Sequence, residues 1–147
     1  MGIRYAYDAL IAVGYGFMLP PIAVLHVRQT AVRSSGAILA TIAGTATVTV
    51  GLAGSVSLDL RPAALVVLGI WWWTMGKMWV ETAVMPRALG LATATLAVLA
   101  LGGAAALVVI PDLLQPGALG AGQAWTILQL VVGLWLFALA GALSRPR

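Results

Sequence analysis

The chain has 147 residues, 62% of them hydrophobic and 8% charged, against roughly 25% charged in an ordinary soluble domain. A water-soluble fold of this size could not cover so much apolar surface, so the composition points to lipid as the solvent. The net charge of +4 comes from basic residues scattered over segment ends, which speaks against nucleic-acid binding, and the lack of cysteine excludes disulfides, thiolate metal sites and cysteine nucleophiles.

Apolar runs long enough to cross about 30 Å of hydrocarbon predict an all-α polytopic membrane bundle, a single domain of five transmembrane helices. They fall near 7–27, 36–58, 62–85, 88–110 and 122–143. The first lies largely within the N-terminal stretch MGIRYAYDALIAVGYGFMLPP, where Asp8 interrupts the apolar run and no small-residue cleavage pattern appears, so a signal peptide is not expected. Ala6 occupies the position where N-myristoylation requires Ser or Thr. Pro20-Pro21 must kink or split this span. Arg4, Asp8, Tyr15 and His26 share one helical face, provided that the kink does not rotate the second half.

After the separator RQTAVRSS at 28–35, the second span carries Gly36, Ala40, Gly44, Thr47, Gly51 and Ser55 at three- and four-residue steps. Small faces of this kind let helix backbones approach closely in lipid. Thr41, Thr45 and Thr49 form a neighbouring stripe whose hydroxyls are expected on their own helix carbonyls or across a seam, rather than lining a polar path. Asp59-Leu60-Arg61 precede Pro62, which suits a first helical turn.

The third span contains IWWWTMGKMWVE at 70–81. At 100° per residue it divides into three faces. Trp71, Met75, Met78, Trp79 and Thr82 form a bulky one, while Gly69, Gly76 and Ala83 repeat every seven residues as a groove for a neighbouring helix. Trp73, Lys77 and Glu81 form the third. Counted from Pro62 at 1.5 Å per residue, Lys77 lies about 22 Å and Glu81 about 28 Å along the span, near its inner boundary, where a lysine can snorkel to headgroups. Trp71, Trp72 and Trp73 lie too deep for an interfacial aromatic belt and would fill a helix interface, line a pocket or face lipid.

Pro86-Arg87 separates the third and fourth spans, and a longer segment, PDLLQPGALGA at 111–121, precedes the last, which carries Gln123, Thr126 and Gln129. With the N-terminus outside, Arg28, Arg33, Arg87, Arg145 and Arg147 lie inside and Arg4 and Arg61 outside, so N-out/C-in is expected.

His26 falls at the same depth as Lys77 and Glu81. An ionisable cluster of His26, Lys77 and Glu81, flanked by Trp72 and Trp73, is therefore the candidate substrate- or ion-binding site. The single histidine excludes bis-histidine haem within one chain, zinc lacks ligands, and Met18, Met75, Met78 and Met85 are better explained as packing than as thioethers for Cu(I). No phosphate loop, nucleophile elbow or paired catalytic carboxylates are present, so no cofactor, metal or catalytic residue is expected. The expected role is a non-enzymatic accessory or assembly subunit of the cell membrane, its partners being the lipid bilayer and other membrane subunits or further copies of itself. A small transporter or channel using the His/Lys/Glu cluster is the alternative. A membrane enzyme acting on a lipid or isoprenoid-like substrate, with Glu81 or Asp8 as the acid, is a third.

Overall fold

The computed structural model describes residues 2–110 and 121–144, with side chains for 9–57, 59–110 and 126–144. The Arg4, Asp8 and Gln123 side chains, the segment 111–120, Arg145 and Arg147 lie outside the described residues. Among the described residues every regular element is helical: α1 (Gly2–Gly16), α2 (Leu19–Thr30), α3 (Ser34–Val56), a short 3-10 turn (Leu58–Leu60), α4 (Arg61–Thr82), α5 (Arg87–Val109) and α6 (Ala121–Leu143). Five segments are long and apolar enough to cross a membrane: Ala9–Thr30, Ser34–Val56, Arg61–Thr82, Arg87–Val109 and Thr126–Leu143. The 23 residues of α3 extend about 34 Å, matching a hydrocarbon layer of about 30 Å.

The first of these segments is two helices. Pro20 and Pro21 have no N–H to offer the carbonyls of Gly16 and Phe17, so a continuous helix would lose two successive bonds. The chain instead breaks after Gly16, the Met18 N–H donates to the Tyr15 carbonyl at 3.0 Å, and α2 restarts with the prolines in its first turn.

α4 also opens with proline in its first turn, at Pro62. It stops at Thr82 rather than running to 85, because Ala83 adopts a left-handed conformation (φ 52°) with its N–H on the Trp79 carbonyl at 3.1 Å. Pro86 disfavours helical backbone at the residue before it, which sets the exit a few residues upstream. Ala83 is thus the cap of α4 and does not belong to the glycine groove.

The other two groove residues do. A Cβ built on Gly76 would stand 2.6 Å from the Ala94 nitrogen and 2.8 Å from the Gly90 oxygen, and one on Gly69 would meet Leu101 at 2.7 Å. α4 and α5 therefore touch backbone to backbone, as small residues allow. α3 closes on its neighbours in the same way: a Cβ on Gly44 would reach the Trp71 indole at 2.9 Å, and Gly51 accommodates the Tyr15 ring. Ala40, Gly44, Thr47 and Gly51 are buried, as the small-residue seam requires.

Among the described residues, hydrogen bonds along its length tie α6 to the other helices. Gln129 Nε2 donates to Tyr15 Oη at 3.1 Å, Trp135 Nε1 to Thr93 Oγ1 at 2.8 Å, and Arg28 Nη2 to the Leu143 carbonyl at 2.9 Å. The last tie, with an Arg33–Glu81 pair, gathers the C-terminal ends of α2, α4 and α6 and the N-terminal end of α3 at one end of the bundle.

Candidate functional site

The faces of α4 determine what each of its polar and aromatic side chains can do. Trp71, Trp72 and Trp79 are 1%, 1% and 0% exposed, whereas Trp73 is 48% exposed. Trp72 and Trp79 are seven residues apart and so point within about 20° of each other. Both, with Trp71, gather around Trp135 of α6. The Trp71–Trp135 centroids are 5.4 Å apart at 74°, Trp72–Trp135 5.7 Å at 58°, and Trp79–Trp135 6.3 Å at 12°. Offset and edge-to-face pairs of this kind add about 0.5–1.5 kcal/mol each beyond area burial. Of the three adjacent deep tryptophans, Trp71 and Trp72 thus fill a helix interface and Trp73 faces outward. Trp135 gave no local signal in the sequence, since it meets α4 only through the fold.

Trp135 passes its N–H to Thr93 Oγ1, and Thr93 passes its own hydroxyl proton to the Leu89 carbonyl at 2.7 Å. The indole nitrogens of Trp72 and Trp79 are buried and have no hydrogen-bond partner among the described residues. Met18, Met75, Met78 and Met85 are all buried in the same core.

Lys77 and Glu81 lie on the outer face with Trp73. Glu81 is held mainly by a residue the sequence reading did not pair with it: Arg33 Nη1 reaches Glu81 Oε2 at 2.7 Å. Lys77 Nζ stands 3.8 Å from Glu81 Oε1, at the far edge of an ion pair. The Arg33, Lys77 and Glu81 side chains are 53%, 60% and 42% exposed, so this group looks outward. Two cations share one carboxylate.

His26 makes its bond elsewhere, its Nδ1 lying 2.8 Å from Thr41 Oγ1. Because the Thr41 hydroxyl donates to the Ala37 carbonyl at 2.8 Å, its oxygen is left to accept from a protonated Nδ1, and in the neutral ring Nε2 is then the acceptor. The structure therefore gathers Arg33 and Lys77 on Glu81 and gives His26 a separate partner on α3. Thr45 and Thr49 bond the carbonyls of Thr41, at 3.0 Å, and Thr45, at 3.2 Å, and face outward. They line no interior path.

Beside His26 lies Gln29, which the sequence places in a separator. α2 runs on to Thr30, and Gln29 is 1% exposed, its Nε2 donating to the Met75 sulfur at 3.3 Å and its Oε1 lacking a partner among the described residues. The space bounded by Ile22, His26, Gln29, Thr41, Trp71 and Met75 has no room for a water molecule. A second space, between Tyr15, Met18, Thr47, Gly51 and Leu128, amounts to about 10 Å³, room for at most one water.

Among the described residues no group of three or more His, Cys, Asp and Glu side chains is placed to hold a metal ion. Comparison with known proteins finds no matching family model, no matching curated protein and no matching solved structure.

Proposed function

We propose that the chain is a multi-pass protein of the cell membrane, N-out/C-in, serving as a non-enzymatic accessory or assembly subunit that packs against other membrane helices. The observation that carries this reading is the division among its helical glycines. Gly44, Gly51, Gly69, Gly76 and Gly90 are each closed over by a neighbouring helix, whereas among the described residues no neighbouring element comes within 4 Å of where a Cβ on Gly102 of α5, or on Gly133 or Gly141 of α6, would stand. Glycine in a helix interior costs about 1 kcal/mol relative to alanine in water, and its usual return in a bilayer is close helix approach. On the outer surfaces of α5 and α6 that approach is open to helices of another chain.

The filled space beside His26 favours this reading over transport through a His26, Lys77 and Glu81 cluster. The mutual packing of Trp71, Trp72, Trp79 and Trp135 likewise leaves little basis for an aromatic substrate pocket. The test is native gel electrophoresis and native mass spectrometry of the protein extracted from its own membranes in mild detergent. A larger assembly is expected, released by Gly102→Leu or Gly133→Leu while the extracted chain keeps its unfolding temperature. Migration as a solitary monomer before any substitution would sink the proposal.

A further inference from the structure

The outer face of α4 carries a chemical gradient. Val66, Ile70 and Trp73 are exposed on it and are followed toward the helix end by Lys77 and Glu81, with Arg33 of α3 alongside. Lys77 precedes the last residue of α4, Thr82, by five positions, placing its Cα about 7.5 Å below the helix end, and Trp73 lies about 6 Å deeper. Glu81 engages Arg33 at 2.7 Å and Lys77 only at 3.8 Å, so the group has two positive charges against one negative. The ammonium of Lys77, at the end of a flexible stem and short of the boundary, has one direction in which to find an anion, along the helix toward the headgroups.

From this arrangement we infer that Arg33, Lys77 and Trp73 form a binding site for one anionic phospholipid of the inner leaflet. The lipid phosphate lies at Lys77 and Arg33 with Glu81 fixing the guanidinium, and the first acyl chain runs down the exposed ring of Trp73 toward Ile70 and Val66. Charge complementarity selects this occupant: the excess positive charge sits at headgroup depth, and apolar surface continues directly beneath it. A phospholipid has that same order of charge and hydrocarbon. The inference rests on the membrane reading above, including its orientation, and does not depend on the accessory role.

The test uses the full chain with Trp125→Phe, in nanodiscs of zwitterionic lipid containing either acyl-brominated phosphatidylglycerol or acyl-brominated phosphatidylcholine at equal mole fraction. Fluorescence lost on Trp73→Phe reports the quenching of Trp73. Phosphatidylglycerol is expected to be enriched about five-fold at Trp73, the selectivity that one membrane-surface cation gives. Lys77→Gln should abolish the excess and Lys77→Arg should keep it, with near-ultraviolet circular dichroism from the buried tryptophans unchanged. Equal quenching by the two lipids, or an excess that survives Lys77→Gln, would overturn the proposal. So would no quenching by either lipid in a chain that resists alkaline carbonate extraction, since a protein would then cover the face. Release by carbonate would instead refute the membrane reading itself.

Discussion

Gly76 lies against Ala94 with no room for a methyl group, since a Cβ on Gly76 would come within 2.6 Å of the Ala94 backbone nitrogen. The obstacle is backbone, which cannot rotate away as a side chain can, so α4 and α5 must separate to admit even alanine. We expect Gly76→Ala to destabilise the protein by about 1–3 kcal/mol, the range for overpacking. Gly102→Ala, with open space around it, should be neutral or stabilising by up to about 1 kcal/mol. Thermal unfolding in detergent compares the two, and equal shifts would disprove the close packing.

The bond from Trp135 to Thr93 joins α6 to α5 between two buried side chains. A double-mutant cycle of Trp135→Phe and Thr93→Val should return a coupling of about 0.6 kcal/mol, up to roughly 1.7, as for other hydrogen bonds between membrane helices. Strict additivity would show that the bond contributes nothing.

Ala83 is exposed and holds a backbone conformation that costs a non-glycine residue about 1–2 kcal/mol. Ala83→Gly should therefore raise stability by about 1 kcal/mol, seen as a higher unfolding temperature. A fall would mean that the methyl group makes a contact worth more than the strain it brings.

Gln29 buries a carbonyl oxygen with no partner among the described residues. Replacing an unsatisfied polar group by an apolar one of similar size is neutral or stabilising, so Gln29→Leu should leave stability level or raise it by up to about 1 kcal/mol. A loss larger than that would reveal a partner for Oε1.

The chain has no cysteine, so single cysteines report topology without background. Asp59→Cys should react with a membrane-impermeant maleimide in intact cells, and Ser35→Cys only after permeabilisation. The opposite pattern would reverse the proposed orientation.

The third span was the most legible part of the sequence, because helical periodicity is a property of the chain itself. Counting 100° per residue separated Trp73, Lys77 and Glu81 from Trp71, Met75, Met78 and Trp79, and the structure exposes the first set and buries the second. The glycines Gly69 and Gly76 announced a partner helix for the same reason. Partner identity was another matter. Arg33 precedes Glu81 by 48 positions, and nothing local marks it as the better match than Lys77, four residues away. Trp135 and Gln29 were not legible because burial of a mid-helix tryptophan or an end-of-helix glutamine is decided by which helix lies opposite. His26 was placed at the right end of the bundle by depth. Depth does not specify azimuth, and the imidazole faces Thr41 instead of the ion pair.

The bond from Arg28 to the Leu143 carbonyl spans 115 positions, and that from Gln129 to Tyr15 spans 114. Synthesis runs from the N-terminus, so the first span waits until α6 has been translated before either contact can form. Until α6 arrives, Arg28 lacks the carbonyl that receives it and Tyr15 lacks its amide donor. Completion of the α1 and α2 contacts is thus timed by α6, and a chain terminated before it would leave Arg28 and Tyr15 without these ties.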